Sequence, residues 1–217
     1  MTKSVNKRFI FTKPWTFSPG KLIILAMKKD RPLILNSDQL RKGLPVTDLG
    51  LPQLRKTVDS RRNAIYIILD NVLDTYNIGS IFRLADAVAA KKIYLCGGTE
   101  IPPNHRIKKA SINTTEWVDW EYAESPVEVI RNLKFKIYNL QIVAVEQSNK
   151  SVPYDEFDYQ LPVCLIVGHE SDGVSKKVLK LCDGIVELPM FGVNTSLNVM
   201  VSLGIVLYAV ICKLKIR

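Results

Sequence analysis

From residue 63 onward, continuous apolar runs alternate with segments whose apolar residues recur at helical spacing. Such runs are typical of strands buried on both faces, and helices that follow the strands cover those faces. The pattern predicts an α/β fold: a mostly parallel sheet with helices on both faces. The predicted strands span residues 65–69, 92–96, 116–120 (an edge strand), 141–145, 162–167 and 185–188. The predicted helices span residues 78–90, 106–111, 126–133, 174–181 and 196–212.

Residues 1–62 differ from the rest of the chain in charge. They hold 14 Lys+Arg and 4 Asp+Glu, whereas residues 63–217 hold 16 and 17. Frequent Pro and Gly interrupt this region, so the longest element expected there is a basic helix over residues 51–62. We predict a short basic N-terminal extension, residues 1–62, followed by the α/β domain, residues 63–217. The excess of positive charge favours contact with nucleic acid, although a solubilising arm would have the same composition.

Cysteine, histidine and hydropathy patterns argue against several classes of protein. None of the four cysteines forms a Cys-x-x-Cys pair, which predicts buried free thiols in a reducing, cytoplasmic location. Because the chain has only two histidines, no metal site is predicted. The apolar stretch at residues 197–212 is shorter than the roughly 20 residues of a membrane span and is predicted to be a buried helix. The first residues show no secretory signal. The cysteines are Cys96, Cys164, Cys182 and Cys212, and the histidines are His105 and His169.

The first candidate site segment, residues 77–83, has the sequence Asn-Ile-Gly-Ser-Ile-Phe-Arg at the start of a predicted helix. Gly79 allows backbone or ligand to approach closely. Arg83 follows four residues later, on the same helical face. Asn77 and Arg83 are therefore candidates to act on a ligand. A purely structural alternative has Asn77 as the helix N-cap, Gly79 in packing, and Arg83 paired with Asp86.

The second segment, residues 166–173, joins a buried strand to a polar turn. Gly168 ends the strand where the backbone must turn sharply, and Glu170 and Asp172 then offer acceptors. A structural alternative is a strand-to-helix turn in which Asp172 caps the next helix. His169 could suggest general-base chemistry, but we interpret it as accessory.

The third segment, residues 187–198, also joins a strand to a helix. Pro189 stiffens the exit from the strand, Gly192 and Asn194 allow an irregular loop, and Ser196 is predicted to cap the last helix. A buried Asn198 would need partners for its amide, which a bound ligand could supply. The structural alternative gives Ser196 and Asn198 only capping and core-polar roles.

Together, in this order, the three segments resemble the motifs of the SpoU (TrmH-type) RNA 2′-O-ribose methyltransferases of the SPOUT superfamily. The resemblance covers roughly residues 62–212. It implies a C-terminal trefoil knot, a homodimer, S-adenosyl-L-methionine as cofactor, and methyl transfer to a ribose 2′-hydroxyl of RNA, with tRNA ahead of rRNA. No metal is implied.

The resemblance also assigns residues to two tasks. The residues implied in the reaction are Arg83, Asn77, Glu170, Ser196 and Asn198. The residues implied in cofactor binding are Glu146, Gly168, Glu170, Gly173, Leu188, Met190, Gly192, Ser196 and Leu197. Because a guanidinium has a pKa above about 12, we expect Arg83 to stabilise alkoxide character rather than to act as a free base.

Two other classes of protein stay open at this stage. One is a non-catalytic RNA-binding protein that retains the fold. The other is an ordinary nucleotide-binding α/β protein, which the absence of a phosphate-binding loop disfavours. A base-stacking platform of Trp117 and Trp120 is also disfavoured, because a spacing of three places them on different faces of one strand. Lys108 and Lys109 are expected to be solvated or to touch phosphate.

Overall fold

The structure is a computed structural model that describes residues 50–216, with side chains from residue 55. The described strands are β1 (Asn63–Asp70), β2 (Ala90–Cys96), β3 (Trp120–Ala123), β4 (Gln141–Val145), β5 (Val152–Pro153), β6 (Val163–Gly168) and β7 (Gly184–Glu187). The described α-helices are α1 (Gly50–Asp59), α2 (Thr75–Ala87), α3 (His105–Ser111), α4 (Pro126–Lys136), α5 (Lys176–Leu179) and α6 (Val199–Lys213). A 3₁₀ turn spans Thr114–Glu116.

The strands form one sheet in the order β3-β2-β1-β6-β4-β7-β5, and every neighbouring pair is parallel. The chain first adds β2 and β3 on one side of β1, then crosses to the other side for β4. The later strand β6 lies between β1 and β4. Ligands of open α/β sheets bind at the carboxyl ends of strands where the order reverses. The ends of β1, β6, β4 and β7 are therefore the place to look for a site.

Helices cover both faces of the sheet, as the sequence predicts. On one face Ile65, Ile67 and Leu69 of β1 are buried against residues of α2, α3 and α6. On the other face Ile68 and Ile166 are buried against α4 and α5. Alternate residues of β1 thus enter two separate cores, which explains why its sequence is continuously apolar.

One predicted strand is wrong. Residues 116–120 were expected to form the edge strand, but β3 begins only at Trp120 and pairs with β2 from there. Ile112 and Asn113 adopt positive φ and turn the chain into the 3₁₀ turn after α3. These two residues in the left-handed conformation move the start of the strand toward the C terminus. The strand β3 still forms one edge of the sheet, as predicted.

Several helix ends differ from the predicted ones, and three of the helices show the differences that affect the site or are largest. The helix expected at 78–90 begins at Thr75, and its N-cap is Asp74 rather than Asn77. The helix expected at 174–181 is the four-residue α5. The last helix begins at Val199 and is capped by Asn198 rather than Ser196. Helix α4, by contrast, begins at the predicted residue, Pro126, directly after its N-cap Ser125.

The remaining expectations concern membrane spans, metal sites, cysteines and the N-terminal extension. No helix within residues 50–216 is long and apolar enough to cross a membrane. In the same range no group of three or more His, Cys, Asp or Glu side chains is arranged to hold a metal ion. Cys96 and Cys164 are buried free thiols, whereas Cys212 is exposed, contrary to expectation. The basic helix expected at 51–62 is α1, and the rest of the N-terminal extension lies outside the described residues.

Candidate active site

Three loops meet at the carboxyl edge of the sheet and enclose a cleft of about 490 Å³. They follow β4, β6 and β7. These three strands lie on the side of β1 opposite to β2 and β3. Most of the residues predicted for cofactor or substrate contact line this cleft: Glu146, Gly168, Glu170, Gly173, Leu188, Met190, Ser196, Leu197 and Asn198. Gly192, Asn77 and Arg83 do not line it.

Glu170 connects the second segment to the start of α2. Its carboxylate accepts hydrogen bonds from the backbone N–H groups of Leu73 (3.1 Å) and Asp74 (3.0 Å). It also accepts one from the Asn77 side-chain amide, at 3.1 Å. The loop that precedes α2 is thereby fixed to the loop that follows β6.

Asn77 connects these two loops to the third segment. Asn77 is only 5% exposed, and its side-chain Oδ1 accepts a hydrogen bond from Nδ2 of Asn198 at 3.0 Å. Asn198 in turn accepts from the N–H groups of Met200 and Val201, which caps α6. A single hydrogen-bonded network, Glu170–Asn77–Asn198, therefore joins all three candidate segments. The side-chain amides of Asn77 and Asn198 find their hydrogen-bond partners within the protein.

The pKa of Glu170 reflects this network. Burial raises the pKa of the carboxyl group, but the hydrogen bonds from Asp74, Asn77 and Leu73 outweigh burial and hold it below its ordinary value. The carboxylate is thus the form that the network favours. Because its oxygens already accept three hydrogen bonds, Glu170 is suited to positioning the loops rather than to accepting a proton.

The loop after β6 is closely packed, and its glycines are the reason. A methyl group added to Gly168 would overlap the backbone of Gly173. Gly173 has φ of +67°, and a methyl group there would overlap the carboxylate of Glu146. That carboxylate accepts hydrogen bonds from Gln147 (2.9 Å) and Val174 (2.7 Å) N–H groups, so Glu146 supports the loop as well as lining the cleft.

His169 stabilises the same turn. Its Nδ1 accepts hydrogen bonds from the N–H groups of Ser171 (3.1 Å) and Asp172 (3.2 Å). The carboxylate of Asp172 also lies 3.6 Å from Nδ1. We do not assign an ion pair between these two groups. Because Nδ1 accepts two N–H groups, it has no hydrogen of its own to donate to the carboxylate. Asp172 does not cap the following helix, whose N-cap is Ser175.

Sequence reasoning missed Asp70, the last residue of β1. Asp70 is 1% exposed, and its carboxylate accepts hydrogen bonds from Ser175 N–H (2.9 Å) and from the Asn71 side chain (2.8 Å). Burial, with Asp70 and Glu121 nearby, raises the pKa of Cys96 to about 12. A carboxylate directly after a continuously apolar strand is the signal that could have identified Asp70.

The loop after β7 has far fewer such contacts. Phe191 is 97% exposed, and a methyl group added to Gly192 would meet no atom within 4 Å. Gln147 donates to the carbonyl oxygen of Thr195 at 2.7 Å. Ser196 lines the cleft, but it does not cap α6 as predicted.

Arg83 lies apart from the cleft of its own chain. It is exposed on α2. The ion pair with Asp86 that the structural alternative required is not present among the salt bridges of the described residues. Burial raises the pKa of Asp86, and the charge of Arg62 opposes that shift. The position of Arg83 leaves its guanidinium accessible to a molecule outside this chain.

Comparison with known proteins identifies the family. Residues 64–208 match the SpoU rRNA Methylase family. The chain belongs to this family. It is 35% identical to a tRNA (guanosine(18)-2′-O)-methyltransferase of Aquifex aeolicus, over 75% of this chain and 76% of that protein. It is 28% identical to the Escherichia coli K12 enzyme of the same name, over 68% of this chain and 63% of that protein.

Solved structures agree with this assignment. The A. aeolicus TrmH/SpoU tRNA modifying enzyme superimposes with a TM-score of 0.67 and 32% identity, over 76% of this chain and 82% of that one. An AdoMet-bound rRNA methyltransferase from Sinorhizobium meliloti gives a TM-score of 0.65 and 27% identity, over 72% and 60% of the two chains. The predicted family is thus confirmed, and the names of the relatives agree with the predicted enzyme class.

Proposed function

We propose that this protein is an S-adenosylmethionine-dependent RNA methyltransferase that modifies a ribose 2′-hydroxyl. The observation that carries the proposal is the Glu170–Asn77–Asn198 network, which joins the three family segments beside the cleft. The names of the relatives favour tRNA over rRNA as the substrate. The protein is proposed to act in the cytoplasm.

The cleft fits the proposed cofactor. Its volume of about 490 Å³ lies within the range of small-molecule sites, about 300–1,000 Å³. Backbone groups of Gly168, Leu188, Met190 and Leu197 are proposed to hold the adenosine part. When bound, S-adenosylmethionine supplies an electrophilic methyl group on a positively charged sulfur. The chain's own contribution is to fix the loops and to exclude water from the reacting atoms.

Arg83 is proposed to stabilise negative charge that develops on the ribose oxygen during the reaction. A guanidinium is permanently charged and offers several donors, which suits it to this electrostatic role. Asn77 is placed to position the loops, because both ends of its amide are bonded to protein groups. Ser196 and Asn198 would complete the substrate side of the cleft.

A homodimer is proposed because Arg83 does not reach the cleft of its own chain. Tyr76, Ser80 and Arg83 share one face of α2 by their spacing. Tyr76 is 50% exposed, and on α6 Val201 and Tyr208 are 39% and 49% exposed. A second copy would cover this partly apolar surface and would receive Arg83 beside its own cleft.

Two further features are proposed from the family resemblance. The C-terminal segment is proposed to pass through a loop of the chain as a trefoil knot, and the insertion of β6 between β1 and β4 is compatible with that path. The basic N-terminal extension, residues 1–62, is proposed to contact RNA phosphates because it carries the excess positive charge.

The function is tested in two steps. Calorimetric titration with S-adenosylhomocysteine should show binding at one site per chain. Mass spectrometry of nucleosides should show that RNA from cells without the gene lacks one 2′-O-methylated nucleoside. Cofactor binding without methyl transfer to any cellular RNA would favour the non-catalytic RNA-binding alternative, and absence of binding would refute the proposal.

Replacement of Arg83 tests the chemistry. Arg83→Ala should lower kcat by roughly 10²–10³, the loss found when a donor to a developing oxyanion is removed. The affinity for S-adenosylhomocysteine should not change, because Arg83 does not line the cleft. Arg83→Lys, the matched control, keeps the charge and should retain part of the rate. A normal kcat in Arg83→Ala would contradict the assigned role.

A further inference from the structure

A second cleft, of about 600 Å³, lies between α1, the start of α3 and residues 115–120. It is separate from the candidate active site and shares no lining residue with it. Two indole rings, two prolines and several polar side chains line it. The charged or aromatic residues that line it include Arg55, Asp59, Lys108, Glu116, Trp117, Asp119 and Trp120, and His105 also lines it.

Trp117 and Trp120 both line this cleft, and Trp120 also packs partly against the core, as expected of a tryptophan at this spacing. Their spacing argued against a shared surface only if residues 116–120 formed one strand. In the structure Trp117 follows the 3₁₀ turn, and only Trp120 belongs to β3, so the alternation of a strand does not apply between them. Both tryptophans are half-buried. Each side chain is thus held by the protein while part of it borders the cleft.

The polar groups of the cleft suit a nucleobase better than a free anion. Carboxylates of Asp59, Glu116 and Asp119 line it together with the cations Arg55 and Lys108, so the lining has both signs of charge and is not a purely cationic phosphate site. The same carboxylates can accept hydrogen bonds from the amino groups of a base, and His105 and Lys108 can donate to its carbonyl oxygens. An unstacked base presents both kinds of group and a flat face for the indoles.

The exposed side of α3 carries the charge that a phosphate backbone needs. Arg106, Lys108 and Lys109 are exposed, and none of them forms a salt bridge with any residue that the structure describes. Three cations on a seven-residue helix form a concentrated positive surface next to the cleft. Such surfaces attract nucleic acid through its phosphates.

This surface lies close to the helix that carries Arg83. Helix α3 packs on α2 at Gly79, where an added methyl carbon would lie 2.6 Å from Cβ of Ala110. Packed helices are about 8–10 Å apart. RNA whose ribose is near Arg83 can therefore pass over α3 and reach the second cleft within a few nucleotides.

We propose that the second cleft binds an unstacked base of the substrate RNA, with Trp117 and Trp120 against its face and the α3 cations on the adjoining phosphates. The inference rests on the proposed function, because it takes RNA to be the substrate. It adds a site that selects the RNA outside the cofactor cleft. Stacking on an aromatic side chain tolerates any base, so selection would come from the RNA shape that presents an unpaired nucleotide there.

The experiment measures RNA affinity by fluorescence anisotropy, with a labelled tRNA transcript and the full chain. Trp117→Ala removes one ring, and the double variant Lys108→Ala/Lys109→Ala removes two charges. The matched controls are Tyr138→Ala, which removes an aromatic side chain that is 87% exposed, and Arg131→Ala/Lys136→Ala, which removes two exposed charges of α4 on the other face of the sheet. Binding of S-adenosylhomocysteine is measured for every variant.

Trp117→Ala should weaken RNA binding about five- to 150-fold, the equivalent of stacking one base. Its salt dependence should stay unchanged. The lysine double variant should instead reduce the salt slope by roughly 1.4–1.8. Both controls should bind RNA within about twofold of the wild type, and all variants should bind S-adenosylhomocysteine normally. Equal RNA affinity for Trp117→Ala and Tyr138→Ala would overturn the inference.

Crosslinking of the wild-type protein avoids any folding defect of the tryptophan variant. A transcript containing 4-thiouridine should crosslink to a peptide that includes residues 114–120. Crosslinks confined to other peptides would overturn the inference even if methylation is normal. Failure of the wild type to bind S-adenosylhomocysteine would instead refute the proposed function, so the two failures are distinguishable.

Discussion

The loops that follow β6 and β7 line the same cleft but are held by different contacts. In the β6 loop, Gly168 packs on Gly173, and Glu146, His169 and Asp70 accept its backbone N–H groups. The β7 loop exposes Phe191 almost completely and has open space around Gly192. One wall of the cleft is therefore preorganised by the protein, whereas the other exposes side chains such as Phe191 that no described residue of the chain covers.

The largest expected difference between the two loops concerns their glycines. Gly168→Ala should lower the free energy of unfolding by about 3 kcal/mol, because the added methyl group meets backbone that cannot move aside. Gly192→Ala, the matched control, should change it by less than about 0.5 kcal/mol. Urea unfolding of both variants measures the two values. Equal stability of the two variants would show that the loops are not packed differently.

A smaller difference is expected for the asparagines. Asn77→Ala removes hydrogen bonds to Glu170 and Asn198 and should cost roughly 2 kcal/mol, because it leaves polar groups of both partners without their bonds. Asn194→Ala in the β7 loop removes one long bond to Ser196 N–H and should cost less than about 0.5 kcal/mol. Urea unfolding again provides the measurement. A cost for Asn194→Ala as large as that for Asn77→Ala would contradict the comparison.

The smallest expected effect is a pH dependence that arises from Glu170. Its hydrogen bonds hold the folded-state pKa below the ordinary value, so the folded chain binds fewer protons than the unfolded one. This stabilisation is complete above the unfolded pKa of about 4.3, and it is lost as the pH falls through the folded pKa. Thermal melts between pH 7 and pH 3 should show the stability of the wild type approaching that of Glu170→Gln. A difference that stays constant with pH would argue against a stabilising carboxylate.

The sequence predicted the parts of the fold that depend on local pattern. Residues 65–69 and 141–145 lie within β1 and β4 because strands buried on both faces leave an unbroken apolar run. The helix caps were predicted less well. Asp74 and Asn77 are both good N-cap residues, and the tertiary bond from Asn77 to Glu170 decides between them. Ser196 and Asn198 pose the same choice, which the contact with Asn77 decides.

The candidate site was predictable as a set of loops but not as a set of contacts. The three glycine-bearing segments identify the carboxyl edge of the sheet, because each follows or precedes a recognisable element. The position of Asp70 directly after an apolar run was a usable signal, but its bond from Ser175 N–H, 105 residues away, could not be predicted from the sequence. The spacing of Trp117 and Trp120 argued against a shared surface because it assumed one strand, whereas two residues with positive φ move the start of β3 to Trp120.

The hydrogen bond from Asn198 to Asn77 joins residues 121 positions apart, and Asn198 follows all of the described strands in the chain. A chain emerging from the ribosome, N terminus first, will have released α2 and the whole sheet before that bond can form. The nascent protein consequently has no complete pocket for most of its synthesis. A copy that ends before Asn198 would lack Asn198, Val199 and Ser202, and with them part of one wall of the cleft.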